Sequence, residues 1–261
     1  GPYGYVTPAD VGTLVGAGSN GYPTPTQTYS GGSINAPTVI ENKVITGAVS
    51  VNADNVVFRN VHFRNSARTM ISVATGVDGL TIENSTIRDC TANNGGGIDT
   101  SGVLTITGST LSGNQASGTP AIFAEYPVLI VNSTISGNRA RLEGGGLFRI
   151  GDGEALISHS TIADNEAMIN GSGLECYLVD LRLANTIVAG NTAATGPDFF
   201  LSPAATATAD HSLIGNNADS GFEPDPDGPN FIGEPDNEIY PLLWPLANNG
   251  GPTQTHALSP E

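Results

Sequence analysis

The sequence predicts an all-β chain wound into a single-stranded right-handed parallel β-helix, and three observations carry that prediction. A four-residue phrase returns as Asn84-Ser85-Thr86-Ile87, Gly108-Ser109-Thr110-Leu111, Asn132-Ser133-Thr134-Ile135, His159-Ser160-Thr161-Ile162, Asn185-Thr186-Ile187-Val188 and His211-Ser212-Leu213-Ile214, after a looser precursor at Asn60. Its first positions step by 24, 24, 24, 27, 26 and 26 residues, the spacing of a solenoid coil. Between the phrases lie short alternating segments with no helical period, and 34 glycines and 17 prolines in 261 residues suit many tight turns. A left-handed hexapeptide solenoid would need a coil of about 18 residues, so the right-handed form is expected.

Each unit has three pieces. The first is an alternating strand such as Leu80-Thr81-Ile82-Glu83, with inward sites Leu80/Ile82, Leu104/Ile106, Val128/Ile130, Ala155/Ile157 and Leu181/Leu183. The second is the Ser-Thr-Ile strand, followed six residues after the first position by Asn114, Asn138, Asn165, Asn191 and Asn217, with Cys90 and Ser66 in the equivalent places of earlier coils. Stacked Asn side chains there would bond to one another and to the turn backbone. His159 and His211, at the first position, are expected to join such a stack as structural residues. The third piece is a Gly-rich corner, Gly95-Gly96-Gly97-Ile98, Gly144-Gly145-Gly146-Leu147 or Gly171-Ser172-Gly173-Leu174, where glycine supplies positive φ and close backbone approach.

The repeats span residues 38–217. Residues 1–37 read as an irregular N-terminal cap, and the Pro- and acid-rich residues 218–261 as a C-terminal cap or tail. Both ends of a solenoid expose an unpaired rung and need cover. No apolar run approaches the length of a membrane span. The formal charge is −16, from 25 acidic and 9 basic residues, so nucleic acid, which demands a basic stripe, is not an expected partner. Cys90 and Cys176 fall more than three coils apart, roughly 15 Å at about 4.8 Å per coil, too far for a disulfide. They are expected to be free thiols.

The run of Gly-Gly-Gly-Ile, Leu-Thr-Ile and Asn-Ser-Thr-Ile-Ser-Gly-Asn resembles bacterial surface proteins of the polymorphic outer-membrane-protein type. The segment Pro241-Leu242-Leu243-Trp244-Pro245-Leu246-Ala247-Asn248-Asn249-Gly250-Gly251-Pro252-Thr253-Gln254-Thr255-His256-Ala257-Leu258 is similar to the tail of β-helix regions in secreted proteins with C-terminal sorting anchors. Thr7-Pro8-Ala9-Asp10-Val11-Gly12, with Val39-Ile40-Glu41-Asn42-Lys43 and Val56-Val57-Phe58-Arg59-Asn60, resembles the opening of actinobacterial β-helix proteins grouped near pectate lyases. These resemblances imply the fold and a place outside the cell, at the bacterial surface. They do not imply one activity, because the same scaffold hosts adhesins, lyases and hydrolases.

If the residue after each Gly-rich opening points outward, Asp99, Phe123, Phe148, Glu175 and Phe200 stack on successive coils, with Glu125, Tyr126 and Tyr177 nearby. Ring faces beside carboxylates are what a glycan-binding groove requires, since rings stack on apolar sugar faces and acids accept hydroxyl hydrogen bonds. Asp99 and Glu175 would stand roughly 14 Å apart, outside the separations of about 5–5.5 or 6.5–9.5 Å used by glycosidase pairs. Polyuronate lyases on this fold combine a calcium-holding acid cluster with a cationic base, and Arg149 near Asp152 and Glu154 is the best local set. Arg139, Arg141 and Glu143 lie one corner away, and all of these read as surface ion pairs. Glu223-Pro224-Asp225-Pro226-Asp227-Gly228, with Glu234, has the acid and glycine spacing of an EF-hand loop but no flanking helices. Calcium is therefore the one cofactor the residues suggest. The expected function is a non-catalytic extracellular adhesive module touching a polysaccharide or cell-surface glycan through the Phe row. The alternatives are a polysaccharide lyase or glycoside hydrolase, and a subunit that self-associates into a filament.

Overall fold

A computed structural model describes residues 27–64, 66–93, 95–118, 121–151, 153–224 and 228–259. Each full coil gives one strand to each of three sheets, typified by Leu104–Thr107, Thr110–Ser112 and Ile122–Ala124. We number these sheets 1, 2 and 3; they hold eight, ten and eight strands. A three-stranded ribbon of Thr91–Ala92, Gln115–Ala116 and Arg139–Ala140 lines one corner. All pairings between these strands are parallel and rung to rung, as in Leu80↔Leu104↔Val128↔Ala155↔Leu181. The sequence repeat is therefore the physical repeat. Among the described residues no helix is long and apolar enough to cross a membrane.

Alternation puts Leu104 and Ile106 of sheet 1, Leu111 of sheet 2 and Ile122 and Ala124 of sheet 3 fully inside. Every inward pair expected from the sequence is buried. A buried Leu or Ile side chain is worth roughly 1.5–3 kcal/mol, so each coil brings its own share of the core. Phe58 and Phe63 meet edge to face at 5.0 Å in the early interior. At the other end Phe222 is buried against Phe199 at 5.4 Å and closes the last coil.

The ladder runs past both expected limits of 38 and 217. Gln27–Tyr29 and Gly32–Ile34 already pair with the next coil, and Phe231–Ile232 adds a rung to sheet 2. The early coils are shorter: side chains 17 and 18 residues apart meet across a rung at Asn52–Asn35 and Asn60–Asn42, against 24 later. The phrase used to find the repeat is absent there, although the strands persist. Downstream the chain turns back. Residues 242–259 lie on the outer face of sheet 2, held by antiparallel bridges Leu243↔Leu258 and Ala247↔Thr255. Thr110 Oγ1 donates to Gln254 O (2.6 Å), Thr253 Oγ1 donates to Gly108 O (3.1 Å), and His256 Nε2 meets Ser136 Oγ at 2.8 Å. This tail is a strap along the side of the solenoid; the end of the core is closed by Phe222.

Two files of polar side chains run parallel to the axis. In the first, Asn114, Asn138 and Asn165 each donate Nδ2 to the Oδ1 of the next rung's Asn at 2.9 Å. Each also donates to a carbonyl of the preceding coil, Ile87, Leu111 and Ile135 in turn. The backbone N–H of Cys90 enters the file at Asn114 Oδ1. Asn217 does not continue it, contrary to the sequence expectation: its amide turns to Phe222 O and Ser220. Asp198 takes its place, accepting from Asn191 N and Nδ2 on Oδ1 and from Asn216 N on Oδ2. Burial raises the Asp198 carboxyl to about 6, against those three donations.

The second file is Ser85, Ser109, Ser133, Ser160, Thr186 and Ser212. Each hydroxyl accepts the backbone N–H of the preceding rung's member, starting with Val61 on Ser85, and Ser212 N ends on Asn230 Oδ1. The hydroxyls donate to the carbonyl two residues back in their own coil. The first position of the phrase has a different role from the one expected. His159 and His211 are exposed and outside the Asn file, and with Asn84, Asn132 and Asn185 they have φ of 47–50°. A left-handed backbone at the corner selects Asn, His or, at 108, Gly.

Cys90 and Cys176 are both free and buried. Burial raises their thiols to about 11 and about 12. An aromatic disulfide reagent at pH 8 is expected to find no reactive thiol in the native chain and both in denaturant. Asn138→Ala would strand the two donors of Asn114 and the Leu111 carbonyl, at a cost of about 2–4 kcal/mol. His159→Asn should change stability by less than about 0.5 kcal/mol. Urea unfolding of the two variants checks the contrast.

Candidate functional site

The outer face of sheet 3 carries one unbroken row. Register pairs Ser33, Ser50, Ser72, Asp99, Phe123, Phe148, Glu175 and Phe200 in succession. These side chains point outward because their strand neighbours, such as Ile98 and Thr100 or Leu147 and Arg149, are buried inside. The Gly corner forms one wall of the row. Gly144 and Gly171 have φ of 60° and 50°, and a Cβ on them would lie 2.7 Å from Phe148 Cβ and 2.8 Å from Glu175 Cβ. Any other residue there would strain the turn and push on the row.

The row is more continuous in rings than its residue names indicate. Phe123 and Phe148 stack at 5.6 Å with 12° between planes. Tyr177 lies 5.7 Å from Phe148 and 6.1 Å from Phe200. It therefore fills the place on the Glu175 rung where a phenyl ring is missing. All four rings are half-buried. Outward alternation puts Tyr177 two residues beyond Glu175 on Leu174–Tyr177, and that spacing was the signal available in the sequence.

Glu175 lies beneath this ring and is fully buried, unlike the exposed acid expected of a groove. Tyr177 donates its hydroxyl to Glu175 Oε1 at 3.0 Å, and Oε2 accepts no hydrogen bond. Burial, with the charge of Glu143, raises the carboxyl to about 8 against contributions from Tyr177, Asn170 and the Gly144 N–H. The same surroundings push the Tyr177 phenol up to about 12, burial first and the Glu175 charge next. At the other end of the stripe, Asp99 is raised by burial and then by Glu125. Ser101 donates to Glu125 Oε2 at 2.6 Å. Asp99 and Glu175 are three rungs apart, roughly 14 Å, and cannot flank one glycosidic bond.

Arg149 departs from its expected role as a surface ion-pair partner. It is fully buried, opposite Ala124 and Cys176 of neighbouring rungs, because alternation from the outward Phe148 turns it inside. Its Nη1 donates to the carbonyls of Glu125 (2.9 Å) and Ile150. Glu154 pairs instead with Arg182 at 3.2 Å, and Arg139 with Glu166 at 2.8 Å. Of the calcium-loop acids, Asp225 and Asp227 lie outside the described residues, as does Asp152. Glu223 and Glu234 are exposed, and Glu234 sits in a tight turn paired with Asn237. Among the described residues, no three His, Cys, Asp or Glu side chains converge as a metal site. A cavity of about 330 Å3 beside Asp198 is lined by Asn191, Pro197, Asn216, Glu238 and Tyr240. Both oxygens of Asp198 are already occupied there by Asn191 and Asn216.

This architecture agrees with the comparison to known families. Residues 46–196, more than half of the chain, match the right handed beta helix region, and the chain belongs to that family. No curated protein matches it.

The buried acid gives the site a pH signature. Between the ordinary glutamate value of 4.5 and about 8, the folded chain holds a proton on Glu175 that the unfolded chain has lost. Its contribution to stability is therefore complete below that window and declines as pH rises through it, by an amount on the order of a few kcal/mol. Glu175→Gln should remove this slope, so that the variant melts several degrees above wild type at pH 9 and close to it at pH 4.5. Parallel melting curves across the window would contradict the assignment.

Proposed function

We propose that the chain is a non-catalytic module, displayed outside the cell, that holds a glycan along the ring stripe of sheet 3. The observation that carries this reading is the file Phe123, Phe148, Tyr177 and Phe200 at 5.6–6.1 Å, laid along the axis on a rigid sheet. Apolar ring surface repeated at that interval suits the apolar faces of successive sugars. Asp99, Glu125 and Ser101 at one end offer hydroxyl partners. The stripe is preorganised, since each ring is fixed by its rung and by its neighbour, and less freedom is lost on binding.

A non-catalytic role is supported by the burial of Glu175 under Tyr177, which keeps the central acid of the row from a bound chain. An extracellular setting is supported by the likeness of the repeats to bacterial surface proteins. Oligosaccharide arrays followed by calorimetry test the reading. Phe148→Ala removes the ring that touches both neighbours and should weaken binding about tenfold, or 1.4 kcal/mol. Trp244→Ala, on the strap over another sheet, should leave affinity unchanged. Full affinity in Phe148→Ala would refute the stripe as the binding surface.

A further inference from the structure

We propose that the stripe takes a straight, uncharged chain of β-1,4-linked N-acetylated sugars, one sugar to a coil. This rests on the reading of the stripe as a glycan surface and adds the chemical class of the ligand. Its repeat carries the first part. Register sets Phe123, Phe148, the Glu175 rung with its Tyr177 ring, and Phe200 one coil apart, over roughly 14 Å of axis at about 4.8 Å per rung. A β-1,4 chain with equatorial substituents is a straight ribbon that advances by nearly one rung per sugar, so the two repeats stay in step. An α-1,4 chain coils and leaves a straight row after a few sugars. Phe123 and Phe148 are parallel to within 12° with centroids 5.6 Å apart. Stacked carbons touch at about 3.5–4 Å, so these rings are offset, and each leaves part of its face to the axial C–H bonds of the ribbon.

The two edges of the stripe carry the second part, independently of the rings. On one side Ile150 shares a register position with Tyr177, and Leu178 follows that tyrosine; both aliphatic side chains are exposed. On the other side Leu142 and Ile169 stand two residues before Gly144 and Gly171, the glycines that wall the row, and they too are exposed. Ile169 N donates to Leu142 O at 2.9 Å, so these residues lie on successive coils in contact. Neighbouring sugars of a β-1,4 ribbon are turned by half a revolution, and their C2 substituents point alternately to the two edges. An acetamido methyl meets aliphatic side chains on either edge, whereas a bare hydroxyl there would give up water without gaining a partner. Charge points the same way. The charged side chains of the two central strands are withdrawn, Arg149 into the core and Glu175 beneath Tyr177. Neither a uronate nor an ammonium finds an ion-pair partner on these strands, and a uronate is also repelled by a chain of net charge −16.

The test is calorimetry on the full chain with six-sugar oligomers of β-1,4-linked N-acetylglucosamine, β-1,4-linked glucose, α-1,4-linked glucose and α-1,4-linked galacturonate. The acetylated oligomer should bind about tenfold tighter than β-linked glucose, as two buried methyl groups would give, and the other two should not bind. Ile169→Ser/Leu178→Asn should bring the acetylated oligomer down to the affinity of β-linked glucose, whose own affinity stays unchanged. Both residues are exposed, and Asn suits the φ of 55° at Leu178, so this variant keeps its fold. Equal or tighter binding of any of the other three oligomers would overturn the assignment and leave the glycan reading standing. No binding of any of the four would overturn both. An unchanged preference in the double variant would also overturn the assignment. So would a dimer in sedimentation that the double variant dissolves, because the edges would then belong to a second copy of the chain.

Discussion

The buried file of side-chain amides from Asn114 to Asp198 is the constraint on which the rest of the molecule depends. A parallel sheet whose inner face is uniformly apolar tolerates a slip of two residues, since side chains of the same kind still face inward. The file does not. Each Asn must meet the Oδ1 of the next rung at 2.9 Å while reaching a carbonyl of the rung before. A slipped rung would leave these groups unpaired in the interior, where such a loss is costly. The hydroxyl file from Ser85 to Ser212 adds the same requirement at a second corner. With two files fixed, all three sheets are fixed.

The ring stripe follows from that order. Phe123, Phe148 and Phe200 belong to coils of unequal length, yet they lie in one line because the extra residues are accommodated in the corners. One such corner projects Glu143 toward Glu175. Another, with Gly151 and Gly153 at φ of 108° and 109°, wraps the end of the Arg149 side chain, to which a Cβ on Gly151 would approach within 3.3 Å. Length variation thus appears at the edges of the ring stripe, while the stripe itself stays straight.

Much of this was legible in the sequence because a solenoid converts spacing directly into contact. The inward pairs and the outward row from Asp99 to Phe200 were read correctly, since both follow from period-two alternation anchored to a repeated phrase. What was not legible depended on the third dimension. The burial of Arg149 follows from alternation, but an arginine among acids suggests a surface pair until its rung is placed. The roles of Asp198 and Asn217 could not be told apart by spacing, because the file leaves the repeat at its last step and takes its acceptor from seven residues along the same coil. The strap contacts join residues 120 to 145 apart in sequence, with no pattern to announce them. The early coils were missed for the opposite reason: the fold persisted after the motif had lapsed.

The amide file also has a direction. From one side chain to the next, each Asn donates toward the C-terminal end and accepts from the N-terminal side, so the side-chain string runs one way. It can be lengthened by inserting another coil anywhere between two asparagines, since the newcomer accepts from one neighbour and donates to the next. It cannot be lengthened past Asp198, whose ionised carboxylate accepts on both oxygens and donates nothing onward. In a solenoid lengthened by added coils, that aspartate is a stop signal written in hydrogen-bond polarity, and the length of the ring stripe would be set upstream of it.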